Sequence, residues 1–155
     1  MTAQSDEKYM REALKEGIKA GEKGEIPIGA VVVCKGSIIA RAHNLNELLK
    51  DPTAHAEMQA ITMATEYLGG KYLTSCTIYV TVEPCPMCAA ALAWAQVAKV
   101  VYGASDKKAG AMGSVLDFND FPLNHKAVTV SGVMAEECEA LLSRFFEKKR
   151  SINDL

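Results

Sequence analysis

The sequence predicts an α/β protein, a three-layer α/β/α sandwich built on a five-stranded mixed sheet. Three observations predict it. Helical and strand-like hydrophobic patterns alternate along the chain in the order α-β-β-α-β-α-β-(α)-β-α, and such alternation gives a sheet with crossover helices. A Lys35-Gly36 turn joins the first two strands as a hairpin, which makes part of the sheet antiparallel. The chain has 155 residues, 49% of them hydrophobic and 23% charged, a size and composition that suit one core and exclude wholesale disorder. No repeat, low-complexity tract or linker divides it, so residues 1–155 read as a single domain.

Met10, Ala13, Leu14, Gly17 and Ile18 follow helical spacing, with charged residues between them, and predict an amphipathic helix over residues 6–20, closed by Gly21 and Gly24. Residues 29–34 form an apolar strand and residues 37–41 its hairpin partner. After Asp51-Pro52 a second helix begins, with Ala56, Ala60, Met63, Ala64 and Tyr67 on one face, and Gly69-Gly70 ends it. Residues 77–82 are β-branched or aromatic and predict a third strand. Glu83-Pro84 breaks that strand, and residues 86–97 predict a helix that is apolar nearly all round and therefore buried. Residues 99–103 and 127–130 give two further strands, with a short helix expected near 114–118. The last helix carries Met134, Cys138, Leu141, Leu142 and Phe145 as its core stripe.

The formal charge is −2, from 17 basic and 19 acidic side chains, so a nucleic-acid partner has to be met by a local patch rather than by the overall field. The first residues lack the basic and apolar regions of a secretory signal. The longest stretch without a polar side chain, residues 84–95, is far short of the ~20 that a membrane span needs. A cytoplasmic protein without a membrane partner is the expectation. In that compartment Cys34, Cys76, Cys85, Cys88 and Cys138 point to metal or redox chemistry before disulfides. Cys34, Cys76 and Cys138 fall on apolar strands or faces and are expected to pack.

The chemistry is carried by His55-Ala56-Glu57 and Pro84-Cys85-Pro86-Met87-Cys88. Cysteines at i and i+3 on a starting helix can both face one ion, and thiolate sulfur and imidazole nitrogen are ligands that tetrahedral zinc prefers. With His55 as the third ligand one coordination position stays open, the arrangement of a catalytic rather than a structural zinc. Glu57 then stands near the ion without being needed to bind it, as a proton shuttle requires. Two thiolates and a neutral imidazole leave a dipositive ion with no net charge, which weakens it as a Lewis acid. Helix N-termini, with unpaired N–H groups and positive dipole ends, offset this. A bare Cys-x-x-Cys also occurs in redox pairs and structural zinc sites. The redox reading lacks a thioredoxin-like context here, and neither Cys34 nor Cys76 belongs to a second close pair.

Taken together, these segments resemble the zinc-dependent cytidine deaminase superfamily, whose signature is H-x-E followed by P-C-x-x-C. Within it the chain is similar to the bacterial tRNA adenosine deaminases over about residues 6–150. The resemblance extends to Ile26-Pro27-Ile28-Gly29-Ala30-Val31, Ala42-His43-Asn44, Asp51-Pro52-Thr53-Ala54, Tyr79-Val80-Thr81-Val82-Glu83, Gly103-Ala104-Ser105-Asp106-Lys107-Lys108, Gly110-Ala111-Met112-Gly113-Ser114 and Asn124-His125. It implies a cytidine deaminase-like fold, one Zn2+ per subunit, a homodimer, and hydrolytic deamination of adenosine to inosine at the wobble position of a tRNA anticodon stem-loop.

By the same resemblance His55, Cys85 and Cys88 bind zinc and Glu57 moves the protons. Asn44 hydrogen-bonds the base, the backbone around Ala56 and Cys85 holds its edge, and Pro27, Ile28 and Val82 wall the pocket. Ala104, Asp106, Lys107 and Lys108 lie along the RNA. An unpaired anticodon loop spares the enzyme the cost of opening a duplex. Two alternatives stand beside this one: a deaminase of a free base or nucleoside of guanine or cytosine type, and a non-catalytic zinc-binding module. The second has no use for the Glu57 carboxylate.

Several of these residues also have ordinary explanations. Asn44 can cap a turn after the second strand. Asp106-Lys107-Lys108 can be a solvated loop, although it follows the C-terminal end of a strand, where α/β sites gather. Arg144, Lys148, Lys149 and Arg150 close a helix that Glu136, Glu137 and Glu139 open, as the macrodipole favours; RNA contact is the other reading. Trp94 is expected in the core or a subunit interface.

Overall fold

A threonine starts the first helix. In the computed structural model, which describes residues 2–153, the Thr2 hydroxyl accepts the Ser5 amide and caps α1 (Ala3–Glu22). That cap extends the helix beyond the 6–20 read from periodicity. Met1, Asp154 and Leu155, the ends of the span read as one domain, lie outside the described residues. The hairpin follows as β1 (Gly29–Cys34) and β2 (Ser37–His43), antiparallel to each other. The remaining elements are α2 (Asn46–Leu49), α3 (Ala56–Leu68), β3 (Cys76–Val82), α4 (Pro86–Trp94), β4 (Lys99–Ala104), a 3₁₀ turn (Phe118–Asp120), β5 (Val128–Val130) and α5 (Ala135–Asn153).

The sheet order is β2-β1-β3-β4-β5. β1 is antiparallel to both β2 and β3, while β3, β4 and β5 run parallel, so the sheet is mixed. Successive side chains of a strand face opposite layers. Val31 and Val33 of β1 pack with Tyr9, Met10 and Ala13 of α1 and Cys138 of α5. Ala30, Val32 and Cys34 pack instead with Ala56, Ala60 and Ala64 of α3 and with Ala89 and Leu92 of α4. These two cores make the three layers of the predicted sandwich. Helix α1 lies so close to β1 that a Cβ at Gly29 would stand 2.0 Å from the Ala13 carbonyl oxygen.

Four details differ from the sequence reading. Met63 and Tyr67 are exposed, although the spacing puts them with the buried alanines of α3; periodicity defines a face but not how much of it a neighbour covers. Helix α4 stops at Trp94 rather than residue 97, because Gln96 turns back at φ +56°, and Trp94 is 79% exposed, outside the core. The helix expected near 114–118 is a bridge between Met112 and Asp117. The Asp117 carboxylate then accepts the Asn119 amide and starts the 3₁₀ turn. Finally, α2 has no counterpart in the sequence reading. It is held from afar by Glu25, 1% exposed, whose carboxylate accepts the amides of Glu47 and Leu48 at 2.9 and 2.8 Å.

Among the described residues no helix is long and apolar enough to cross a membrane. Cys34, Cys76 and Cys138 are buried free thiols, as the sequence leads one to expect.

Candidate active site

Two helix N-termini meet at one end of the sheet. His55 is the N-cap residue of α3 and Cys85 that of α4, both in extended backbone and neither using its side chain to cap. The imidazole and the thiol are therefore directed elsewhere. Pro86 occupies the first helical position, where a missing N–H costs nothing, and Cys88 follows one turn after Cys85. The result brings together the three residues that the sequence singles out. His55 Nδ1 lies 3.6 Å from Cys85 Sγ and 3.5 Å from Cys88 Sγ, and the three donor atoms all fall within 4.8 Å of one another.

A tetrahedral zinc with bonds of about 2.3 Å to sulfur and about 2.05 Å to nitrogen separates those atoms by about 3.6 Å. The donor set therefore fits a metal ion of that size and preference. Its charges agree. Cys85 is held down at about 4, because the Cys88 thiol and then the His55 ring donate to its sulfur. Cys88 is pushed up by that same pairing and by burial. A cation bound between the two sulfurs would favour the thiolate form of both. The pairing with Cys85 also raises His55.

Glu57 sits in the first turn of α3 and is buried beside this cluster, with its carboxyl in hydrogen-bonding reach of Cys88. Burial raises its pKa to about 7, against the opposing pull of its own backbone amide and of His55. A buried carboxyl raised in this direction suits general acid–base chemistry.

Asn44, also buried, follows β2 and does cap, though it caps α3 rather than a local turn. Its Oδ1 accepts the Ala56 amide at 2.8 Å, which leaves the side-chain NH2 as its group for a ligand. Pro27 is buried, Ile28 is half-buried and Val82 ends β3 with little exposure. Ala56 and Ala104 are buried, and the Ala56 amide is already taken by Asn44 Oδ1. Ala104 ends β4, in register with Val82. After it, Lys107 and Lys108 are exposed, and Asp106 Oδ1 accepts the Lys108 and Ala109 amides at 2.9 and 3.1 Å, which shapes the turn. The site thus lies where the parallel strands β3 and β4 end, as in other α/β sheets.

Sequence reasoning passed over Glu83, which it treated only as a strand breaker. The available signal was a carboxylate directly after the apolar run of β3, since a charge buried there needs partners. Elsewhere, two concavities of about 270 and 550 Å³ surround Tyr72 and Trp94, away from the metal-ligand cluster.

The family model for MafB19-like deaminases matches residues 4–150. The tRNA-specific adenosine deaminase of Bacillus subtilis (strain 168) is 53% identical over 146 residues, spanning 94% of this chain and 91% of that one. A solved structure from a study of A-to-I editing by tRNA:A34 deaminases at the wobble position superposes with a TM-score of 0.84 at 44% identity, covering 86% of this chain and 98% of the other. A guanine deaminase structure from Bacillus subtilis is more distant, with a TM-score of 0.61 at 32% identity over 76% and 86% of the two chains. Family match, near-complete coverage and site geometry agree, and the chain belongs to the tRNA-specific adenosine deaminases.

Proposed function

We propose that this enzyme hydrolyses the C6 amino group of adenosine at the wobble position of a tRNA anticodon, giving inosine and ammonia. The observation that carries the reading is the triangle of His55 Nδ1 and the two cysteine sulfurs with the buried Glu57 carboxyl against it. His55, Cys85 and Cys88 would hold one zinc ion. Zinc bound there supplies Lewis acidity, which lowers the pKa of water from 15.7 to about 7. Glu57 accepts one proton of the attacking water and delivers it to adenine N1. It then takes the remaining proton of the new C6 hydroxyl and passes it to the amino group, which leaves as ammonia as the C6 carbonyl forms. Asn44 donates its side-chain amide to the base, while Pro27, Ile28 and Val82 exclude water from its faces. The backbone around Ala56 and Cys85 lines the base edge.

Asp106, Lys107 and Lys108 face the RNA as the turn beyond β4, beside the buried Ala104. A net charge of −2 leaves this local patch to meet the phosphates. Replacing Lys107 and Lys108 together by Ala weakens stem-loop binding. For two single-strand phosphate contacts it also reduces the slope of log K against log salt by about 1.4. An unchanged slope makes both lysines solvated bystanders.

The substrate is tested by a panel. An anticodon stem-loop with adenosine at the wobble position gains inosine, read by nucleoside analysis, while free adenosine, guanine and cytidine react slowly. The reverse ranking supports the free-base reading, which the resemblance to a guanine deaminase keeps in view. We assign the enzyme to the cytoplasm, where its RNA substrate is, and treat residues 1–155 as one domain. A homodimer through the groove between α3 and α4 accounts for the exposed Trp94, which lines it with Ile61, Tyr72 and Ala91. A solution mass equal to one chain contradicts that assembly.

A further inference from the structure

Glu83 stands between the end of β3 and the Pro84-Cys85 turn, and it is 3% exposed. A carboxylate removed from water is tolerated only when hydrogen-bond donors replace the solvent. Here the donors come from one segment. Glu83 Oε1 accepts the Asp106 amide at 3.1 Å and the Ser114 hydroxyl. Oε2 accepts the Met112 and Ser114 amides at 3.0 and 3.1 Å. Gly110 closes the cradle, since a Cβ there would lie 2.4 Å from Cδ and Oε2. Two backbone bonds fasten the same pieces, from Glu83 N to the Ala104 oxygen at 2.8 Å and from Ala111 N to the Pro84 oxygen at 2.9 Å.

We propose that Glu83 is the positioning residue of the RNA-facing loop: its buried carboxylate gathers the Asp106, Met112 and Ser114 amides and so fixes Asp106, Lys107 and Lys108 relative to the metal-ligand turn. The proposal rests on the reading of that loop as the RNA contact. The physical basis is the directionality of the cradle. Three amides and a hydroxyl point at one anionic group, and hydrogen bonds to a charged acceptor are the strong ones. Because Cys85 is only two residues further along the chain, the loop takes its place from the same turn that sets a metal ligand. Glu83 touches neither base nor metal in this scheme. It decides where the anticodon's flanking phosphates find their partners.

The test compares Glu83→Gln, Glu83→Ala and Ser114→Ala with the wild type on a wobble-adenosine stem-loop. Glu83→Gln turns an NH2 group toward inward-pointing N–H donors. KM then rises by about tenfold or more while kcat stays within about threefold. Metal content is unchanged, and amide hydrogen exchange quickens in residues 105–114. In Glu83→Ala, added formate occupies the empty cradle and lowers KM again, a rescue that a packing defect does not show. Ser114→Ala, which loses one donor, raises KM by about threefold.

Wild-type KM and wild-type exchange in Glu83→Gln overturn the proposal. So does a loss confined to kcat and metal content. If the Glu83 variants fail to fold, Ser114→Ala decides: an unchanged KM there overturns it as well. A wild-type enzyme that leaves the RNA unmodified refutes the substrate reading and this proposal with it. An active wild type with an indifferent Glu83→Gln refutes this proposal alone.

Discussion

Glu57→Gln is expected to lower inosine formation by about a thousandfold while the protein keeps its metal. The amide has nearly the shape of the carboxyl but cannot carry the proton from water to the base, and positioned general acid–base groups contribute about 10² to 10⁴ in rate. None of the three ligand atoms belongs to Glu57, so metal content measured on the same sample stays at the wild-type level. Near-normal turnover in this variant removes Glu57 from the mechanism.

The same substitution has a stability signature in the metal-free protein. Burial raises the folded-state pKa of Glu57 to about 7 from 4.5. The stability that comes from holding this group protonated is fully present below about pH 4.5, the unfolded value, and is lost as pH rises through about 7. The substituted amide cannot ionise and does not suffer the loss. The metal-free variant therefore gains stability over the wild type as pH rises from about 4.5 through about 7, read as a higher Tm at pH 8. Equal melting temperatures at pH 8 contradict this account of the buried carboxyl.

Removing the metal is expected to cost both turnover and stability. An ion bound at about a thousand times its dissociation constant stabilises the folded state by about 4 kcal/mol. Chelation should accordingly lower Tm by roughly 8–16 °C and abolish turnover, with zinc restoring both. Cys88→Ser should do the same irreversibly. Affinity falls on acidification, because the cation competes with the proton that Cys88 holds and with protonation of His55; each displaced proton costs about tenfold per pH unit. A melting temperature that ignores chelator shows that the cluster is not a metal site.

How much of this can be read from the chain depends on the range of the interaction involved. The strands β1, β3 and β4 come from local runs of apolar and β-branched residues, and their positions are plain. The candidate metal ligands are plain too. Cys85 and Cys88 are one turn apart, and His55 sits beside Glu57 at the start of another helix, so the residue types alone define the chemistry. Helix ends are less accessible, because the Thr2 cap and the reversal at Gln96 are single-residue events that periodicity averages over.

The sequence by itself determined the α/β alternation and singled out His55, Glu57, Cys85 and Cys88, which the structure gathers into one cluster, because each is written in side-chain chemistry at short spacing. Tertiary structure alone decided that Glu25 builds α2, that Asn44 caps α3, and that Glu83 holds a loop more than twenty residues away. It also decided that Trp94 faces outward. In the first three cases a buried polar group is satisfied by backbone amides far along the chain. Which amides those are follows only from how the layers pack, since every residue but proline offers the same N–H.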